Sequence, residues 1–354
     1  MKAGIAGFPR SGKTTIFNAL TGQHASVGGF TEPGKVHLGA IKVPDARVDR
    51  LSEIFRPRKT TYAEIVFVDF PAPAREEGAS AHATALDTTT LAQMRESDAL
   101  VQVVRGFPDP ITGALANPAR DIDSFKSELL LNDLVLIEKR LERLRKEKGK
   151  EAEIGLLTRC KTSLDAEQPL RRLDLSSEEA TALAGFGFLS RRPLMLVLNV
   201  GEADVRAGLP AGVPELLAAE GLQGLVLSGQ IEMEIAALEP EDRRAFLDDL
   251  GISEAARERF IRAAYELLDQ ISFLTTGEDE VRAWTIKRGT IAVKAAGKVH
   301  SDIERGFIRA EVVHYEDFIH YGSDAKCREA GKFRLEGKEY VVQDGDIVHF
   351  RFNV

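Results

Sequence analysis

Short apolar runs alternate with helical or polar segments over the first part of the chain and return near its middle. The strand-like runs are residues 2–6, 65–69, 99–104, 194–199 and 224–228. Continuous apolar runs of this length are typical of strands buried on both faces of a mostly parallel sheet. The pattern predicts an α/β domain that is formed by residues 1–120 and 191–276 and is interrupted between them.

The interruption, residues 121–190, has a helical pattern. Apolar side chains recur with the spacing of a coiled-coil seam at Leu130, Leu134, Ile137, Leu141 and Leu144. A second helix is predicted to pack back antiparallel through Ile154, Leu157, Lys161 and Leu164. We therefore expect an inserted α-helical coiled-coil arm. The densely charged run at 139–150 is either a solvated face or a docking surface for an anionic partner such as RNA.

The C-terminal part changes in character after a helical stretch at about 231–273. Beyond residue 277 the pattern becomes that of β-structure. The predicted strands are residues 281–286, 307–313, 340–342 and 347–352. Gly345 marks a tight turn between the last two. The pattern predicts a small third domain at 277–354.

Composition limits the class of protein. A chain of 354 residues with 44% hydrophobic and 29% charged residues is typical of a soluble protein with two or three domains. A net charge of −8 argues against binding nucleic acid through bulk charge. Two distant cysteines, Cys160 and Cys327, fit a reducing compartment. With no apolar stretch long enough to span a membrane and no signal peptide expected, we predict a cytoplasmic location.

Residues 7–14 read Gly-Phe-Pro-Arg-Ser-Gly-Lys-Thr, a complete phosphate-binding loop between a strand and a helix. In such loops the glycines let backbone N–H groups surround phosphates, and the helix N-terminus adds partial positive charge. Lys13 is predicted to reach the β- and γ-phosphates as a catalytic residue, and the Thr14 hydroxyl to bind Mg²⁺. The predicted nucleotide contacts in this segment are Phe8, Pro9, Arg10, Ser11, Gly12, Lys13, Thr14 and Thr15.

Two later strand ends add to this site. Asp69 ends an apolar strand, where a carboxylate holds Mg²⁺ in nucleotide hydrolases of this kind. Asn199, Val200 and Glu202 stand where GTPases carry the Asn-Lys-x-Asp segment that recognises guanine. Glu202 replaces the Asp that binds guanine N1–H and N2–H₂, so we expect a preference for ATP over GTP, with Asn199 at the base edge. The predicted nucleotide site also includes Ser228 and Gly229.

These motifs resemble one family, the YchF or Obg-like branch of the translation-factor-related P-loop NTPases. The resemblance covers essentially the whole chain and is densest near its end. The segments that carry it are residues 7–20, 44–51, 95–99, 103–105, 199–202, 281–285, 306–312, 315–318, 330–332, 334–338 and 349–354.

The resemblance implies a Ras-like P-loop domain, an inserted helical coiled-coil arm and a C-terminal TGS domain with a ubiquitin-like β-grasp fold. It also implies a cytoplasmic, Mg²⁺-dependent ATPase that associates with ribosomes. We expect a monomer that contacts the large subunit or its RNA through the arm or the TGS domain. In the TGS domain the basic cluster is Lys287, Arg288, Lys294 and Lys298, for which a solvated strand face is the alternative.

The chain departs from the family pattern after Asp69. Ala72 occupies the position of the glycine that senses the γ-phosphate, and prolines at 71 and 73 stiffen the segment. Thr31 is the candidate for the Mg²⁺-sensing, catalytic hydroxyl of the first switch. Pro73 cannot orient water, although the resemblance already implies a hydrophobic residue at that position. His82 is a weak candidate for the water-positioning group, so hydrolysis near or below the ~10⁻³–10⁻⁴ s⁻¹ scale of unassisted GTPases is expected.

Three functions stay open at this point. The first is a slow ATPase, or a relaxed ATP/GTPase, that acts as a conformational switch on the ribosome. The second is a nucleotide-binding module that has lost turnover through the altered segment at 69–90. A P-loop kinase of small molecules is the third, and it is disfavoured because such kinases do not need the base-recognition segment at 199–202.

Overall fold

The computed structural model describes residues 1–23, 36–70, 86, 88–252 and 254–353. Its strands are β1 (Lys2–Ala6), β2 (His37–Lys42), β3 (Lys59–Thr61), β4 (Glu64–Asp69), β5 (Ala99–Arg105), β6 (Leu194–Asn199), β7 (Gln223–Leu227), β8 (Gln270–Thr275), β9 (Glu280–Lys287), β10 (Phe307–His314), β11 (Arg334–Glu336) and β12 (Asp346–Phe352).

The helices alternate with these strands. They are α1 (Lys13–Thr21), α2 (Ala46–Phe55), α3 (Thr88–Met94), α4 (Pro118–Leu144), α5 (Glu151–Asp165), α6 (Ser177–Ala182), α7 (Val213–Glu220), α8 (Gly229–Ala237), α9 (Pro240–Asp249), α10 (Ala256–Leu267), α11 (Ala292–Val299), α12 (Ser301–Arg305), α13 (Tyr315–Tyr321) and α14 (Asp324–Glu329). Short 3₁₀ helices cover Leu170–Arg172, Ala184–Phe186 and Glu202–Ala207.

One compact unit consists of Met1–Gly39 and Val66–Phe260. Its sheet has the strand order β2-β4-β1-β5-β6-β7, and the neighbours from β4 to β7 are parallel. All six residues of β6 are buried, as expected for a strand that is covered on both faces. The five apolar runs of the sequence form β4, β1, β5, β6 and β7, so the predicted parallel α/β sheet is confirmed.

The predicted helical insertion forms α4 and α5. α4 begins three residues earlier than predicted because the Asn117 side chain accepts a hydrogen bond from the Arg120 N–H, and Pro118 occupies the first turn, where its missing N–H is not needed. Lys161 of α5 contacts Glu138 of α4 at 3.0 Å, whereas Glu153, earlier on α5, contacts Arg140, later on α4. The two helices are therefore antiparallel, as predicted.

The predicted seam forms most of the core of this insertion. Leu130, Ile137 and Leu144 are buried, and Leu134 and Leu141 pack against the same apolar cluster as Leu157 and Leu164 of α5. Buried Asp133 fixes the end of the insertion, since its carboxylate accepts hydrogen bonds from the Leu189 and Ser190 N–H groups at 2.9 and 2.7 Å. Burial raises the pKa of Asp133, and the bonds from Ser190 and Leu189 oppose that shift.

The other compact unit consists of Ala40–Ile65 and Ile261–Val354. Its sheet has the order β11-β10-β12-β8-β9-β3. β12 and β8 are parallel at its centre, β10 and β9 lie antiparallel beside them, and α11 packs its buried alanines into the apolar core. This arrangement is consistent with the expected β-grasp fold.

The segment before β4 is joined to this second unit by several contacts. β3 pairs in parallel with β9, and the Thr61 hydroxyl donates to the Glu280 carboxylate at 2.6 Å. Arg47 of α2 contacts Asp344 at 2.9 Å, and the Phe55 ring stacks on Phe318. A sequence pattern that is read in chain order cannot indicate that residues 40–65 pack with the C-terminal part of the chain. The boundaries of the compact units therefore differ from the predicted domain boundaries. The three-part division of the chain stays a prediction.

Two local predictions in this part are wrong. The helical stretch expected to run to residue 273 ends at Leu267, because Asp269 adopts a left-handed backbone conformation with φ 53° and β8 then pairs with β9 from Gln270 onward. Residues 340–342 form only an isolated bridge between Val341 and Ile291. Gly345 does make the predicted tight turn before β12, with φ 84°. Among the described residues no helix is both long and apolar enough to cross a membrane.

We expect Ile137→Ala to lower the free energy of unfolding of the helical insertion by about 2–5 kcal/mol, because it leaves a cavity in a close-packed core. Ile137 is fully buried, whereas Leu131 on the same helix is 52% exposed. Leu131→Ala is the matched control and should change stability by less than about 1 kcal/mol. Urea unfolding followed by circular dichroism measures both, and equal losses would contradict the assignment of the buried face.

Candidate functional site

The loop between β1 and α1 has the geometry of a phosphate-binding loop. Gly7 and Gly12 have φ of 146° and 88°, which disfavour a side chain. A Cβ added to Gly12 would lie 2.1 Å from the Asn199 amide nitrogen, and one added to Gly7 would lie 2.3 Å from the Val103 carbonyl oxygen. The backbone conformation at these two positions favours glycine, and the surrounding atoms leave no room for a Cβ.

Lys13 lies at the start of α1 with its ammonium group inside the loop. Its Nζ donates to the carbonyl oxygens of Gly7 and Phe8 at 2.8 and 3.1 Å. Burial lowers the pKa of Lys13 to about 8, and the nearby carboxylate of Asp69 opposes that shift. The side chain is thus held across the loop as a buried cation, and its contact with the β- and γ-phosphates stays a prediction.

The structure brings together Thr14 and Asp69, the two residues predicted to bind Mg²⁺. The Thr14 hydroxyl donates to Asp69 Oδ2 at 2.8 Å, and His37 Nδ1 lies 3.6 Å from the same oxygen. Asp69 is 2% exposed, and burial raises its pKa, against the opposing effects of Thr14, Lys13 and His37. His37 was not predicted, because a single histidine after an altered switch segment has no distinctive pattern.

This pair of oxygen ligands fits a magnesium ion. Asp69 Oδ1 is buried and has no hydrogen-bond partner among the described residues, so one carboxylate oxygen remains to accept a bond from a metal or from metal-bound water. The described residues contain no cluster of three or more His, Cys, Asp or Glu side chains that would enclose a metal. Mg²⁺ in phosphate-binding sites needs few protein ligands, since waters and phosphate oxygens complete its shell.

The Asn199 side chain links the phosphate loop to the loop between β7 and α8 through hydrogen bonds. Its Nδ2 donates to the Ser11 carbonyl oxygen at 2.9 Å, and its Oδ1 accepts from the Gly229 N–H at 2.9 Å. Thr15 lies beside the same glycine. The amide predicted to meet the base edge therefore makes two contacts inside the protein and acts as a positioning residue, because it holds three predicted segments together.

The other predicted base-recognition residues are divided between the interior and the surface. Val200 is buried, and its N–H donates to the Leu227 carbonyl oxygen. Ser228 is buried and accepts from the Ile231 N–H at the start of α8. Glu202 begins a 3₁₀ helix and is exposed, and it lines a cleft of about 450 Å³. Glu202 is therefore the acidic group of this segment that a ligand can reach.

Arg10 has a partner that the sequence did not indicate. Its Nη1 contacts Asp109 Oδ1 at 3.0 Å, with the Arg10 side chain 33% exposed. The same carboxylate oxygen accepts from the Ile111 and Thr112 N–H groups at 3.0 Å each. The pKa of Asp109 is lowered, mainly by the hydrogen bond from the Thr112 backbone N–H. Phe8, which belongs to the same loop as Arg10, packs edge-on against Phe125.

Glu232 also lies outside the predicted site. It is buried in α8 and accepts from the Ala256 and Arg257 N–H groups at 2.9 and 3.1 Å. The Arg257 Nε donates to the Leu20 carbonyl oxygen near the end of α1. These bonds fix α1 and α8 against the start of α10.

The residues predicted to take part in switching, Thr31, Ala72, Pro73 and His82, lie outside the described residues.

The predicted basic surfaces are partly neutralised. Lys294 pairs with Glu304 at 2.7 Å, and Arg288 lies 3.4 Å from Asp269. In the helical insertion Arg140 makes a bidentate contact with Glu153, whereas residues 145–150 are all exposed. The exposed basic residues of the insertion therefore lie between α4 and α5, and Lys287 and Lys298 are exposed in the other cluster.

Comparison with known proteins shows which families this chain resembles. Residues 2–139 match a family described as 50S ribosome-binding GTPase, and residues 270–353 match the C-terminal YchF GTPase family, described as a protein of unknown function. A protein named ribosome-binding ATPase YchF from Bacillus subtilis is 40% identical over the whole of both chains. The protein of the same name from Escherichia coli O157:H7 is 39% identical over 100% of this chain and 99% of its own.

A solved structure agrees with these matches. The YchF GTPase of Schizosaccharomyces pombe aligns with a TM-score of 0.85 at 30% identity, over 99% of this chain and 97% of that one. Similarity of sequence and of fold thus extends over the full chain, as the motifs between residues 7 and 354 predicted. The chain belongs to the YchF family of P-loop NTPases.

Proposed function

We propose that this protein is a Mg²⁺-dependent NTPase that prefers ATP, hydrolyses it slowly and acts as a conformational switch on the ribosome. The observation that carries the proposal is the convergence of three groups in one buried site. Lys13 supplies a cation, and the Thr14 hydroxyl lies 2.8 Å from Asp69. A cation beside two oxygen ligands, under a loop of backbone N–H groups, is suited to a triphosphate with its metal.

In this proposal each residue has a defined task. Lys13 binds the β- and γ-phosphates when it leaves the carbonyl oxygens of Gly7 and Phe8 that now hold it. Thr14 and Asp69 would hold Mg²⁺, with Thr31 as the proposed hydroxyl of the first switch. The metal ion, when bound, neutralises charge on the β- and γ-phosphate oxygens.

The preference for ATP is proposed from Glu202. A guanine site needs a carboxylate that accepts from N1–H and N2–H₂, whereas adenine has an acceptor at N1 and no amino group at C2. The longer and exposed Glu202 is not restrained by the protein into that position. Loss of a hydrogen bond for which a site was built shifts selectivity strongly.

Slow turnover is proposed from the sequence after Asp69. Ala72 and Pro73 replace the residues that sense the γ-phosphate and orient water in switching GTPases. The alternative is a nucleotide-binding module without turnover. The relatives are named ribosome-binding ATPases, which favours the hydrolase.

The ribosome is proposed as the partner, with contacts through the helical insertion or the TGS domain. The relatives' names indicate it, and the exposed basic residues at 145–150 offer one surface that would attract RNA phosphates. A cytoplasmic monomer is part of the same proposal.

Lys13→Ala is expected to lower phosphate release from ATP at least about 100-fold, because it removes a fixed cation from the transferred phosphoryl group. Release of phosphate is measured with and without ribosomes over several hours. Lys42→Ala, which changes an exposed lysine, is the control and should match the wild type. Tight ATP binding by the wild type with less than one phosphate released per protein would favour the module without turnover.

Glu202→Asp is expected to raise the affinity for GTP relative to ATP about tenfold or more, since the shorter carboxylate restores the guanine acceptor. Titration with both nucleotides gives the ratio of dissociation constants. Glu215→Asp, an exposed substitution on α7, serves as the control. An unchanged ratio would show that Glu202 does not select the base.

A double charge reversal, Arg145→Glu with Lys146→Glu, is expected to weaken ribosome binding about tenfold at physiological salt and to flatten its salt dependence. Co-sedimentation with ribosomes over a range of KCl concentrations measures both quantities. Lys294→Glu with Lys298→Glu tests the TGS surface in the same way. Wild-type binding that does not change with salt would argue against both basic surfaces.

A further inference from the structure

Arg10 occupies an unusual backbone position for an arginine. It is the fourth residue of the phosphate loop and has φ 65°, in the left-handed region. Glycine and asparagine adopt this conformation readily, but other residues are strained in it. A strained residue in a binding loop is a reason to ask what its side chain does there. The other described non-glycine residues with positive φ, Arg56, Glu167 and Asp269, lie outside the loop.

The contact that holds the Arg10 side chain is easily exchanged. The ion pair between Arg10 and Asp109 joins one guanidinium nitrogen to one carboxylate oxygen at 3.0 Å, and the Arg10 side chain is one-third exposed. Asp109 does not need Arg10, since the Ile111 and Thr112 N–H groups bind the same oxygen. When an anionic ligand takes Arg10, the buried Asp109 carboxylate, whose side chain is 8% exposed, keeps the hydrogen bonds from these two backbone N–H groups.

Hydrolysis would gain from a further cation besides the one that the described residues of the loop hold buried. Lys13 is the buried cation of the loop, and Pro73 stands where a switch glutamine would orient water. Hydrolysis spreads negative charge over the γ-phosphate and the β–γ bridging oxygen as the transition state forms. An arginine that reaches these oxygens supplies a positive charge together with a planar pair of N–H donors. A lysine supplies the charge but not the planar pair of donors.

We propose that Arg10 is a catalytic residue that moves from Asp109 to the phosphates of bound ATP and stabilises the transition state from within the same chain. The inference rests on the proposed hydrolase function. In the step, the oxygen of water bonds to the γ-phosphorus, and the bond from that phosphorus to the β–γ bridging oxygen breaks. ADP keeps the electron pair of that bond, and the proton of the water passes to a phosphate oxygen or to solvent.

Arg10→Gly tests the proposal without the risk of misfolding, because glycine accepts φ 65° more readily than arginine. We expect single-turnover ATP hydrolysis to fall at least about 100-fold, as for loss of one transition-state donor. The dissociation constant of fluorescent ADP should change less than about fivefold, since catalysis requires binding that is stronger in the transition state. Trapping of Mg²⁺, ADP and tetrafluoroaluminate, a mimic of the transition state, should be lost.

Two variants separate this role from a structural one. Asp109→Asn keeps an oxygen for the Ile111 and Thr112 N–H groups but removes the charge that holds Arg10. It should hydrolyse ATP as fast as the wild type or faster. If the ion pair only shaped the loop, Asp109→Asn and Arg10→Gly would lower the rate equally. Arg56→Gly, at a second left-handed arginine outside the loop, is the control and should not change the rate.

The outcomes distinguish the two proposals. A wild-type protein that releases phosphate, together with an Arg10→Gly variant within about threefold of its rate, would overturn the role of Arg10 alone. So would a loss of ADP affinity equal to the loss of rate, which indicates uniform binding. A wild-type protein that releases no phosphate would overturn the hydrolase function and this inference with it.

Discussion

The parallel pairing of β1 with β4 is the constraint on which the site depends. In this register Ile5 lies opposite Asp69, so the phosphate loop and the carboxylate leave the sheet at the same edge. Parallel strands of an α/β sheet place ligands at their carboxyl ends for this reason. The 2.8 Å contact between the Thr14 hydroxyl and Asp69 follows from that register, and a slip of one residue would turn the carboxylate to the other face.

Buried polar groups keep this edge in one arrangement. Asn199 satisfies the Ser11 carbonyl and the Gly229 N–H, and Glu232 satisfies two N–H groups at the start of α10. An unsatisfied buried donor or acceptor costs about 1–3 kcal/mol, so these bonds specify the loop positions even where their net contribution to stability is small. Lys13 and Asp69 are buried charged groups beside the same loop, and burial shifts the pKa of each.

Most of the fold could be predicted because its signals are local. Apolar runs buried on both faces identified the parallel strands, and the seam from Leu130 to Leu144 identified the antiparallel helices. The phosphate loop and Thr14 were predicted from a motif of fixed spacing, and Asp69 from its place at the end of an apolar strand. Predictions failed where a distant partner decides the local structure. Residues 270–273 form a strand because β9 is available to pair with them, and Val341 makes only a bridge to Ile291.

The class of site follows from the local sequence, since glycines, Lys13 and Thr14 in this order between a strand and a helix form a phosphate-binding motif. Tertiary structure decided which residues act on that site from a distance. Asp109 lies 99 positions from Arg10, and Asn199 lies 188 positions from Ser11, so no local pattern could pair them. The same holds for the return of β3 to β9. Contacts between residues far apart in the chain depend on packing and register, and only the folded chain defines these.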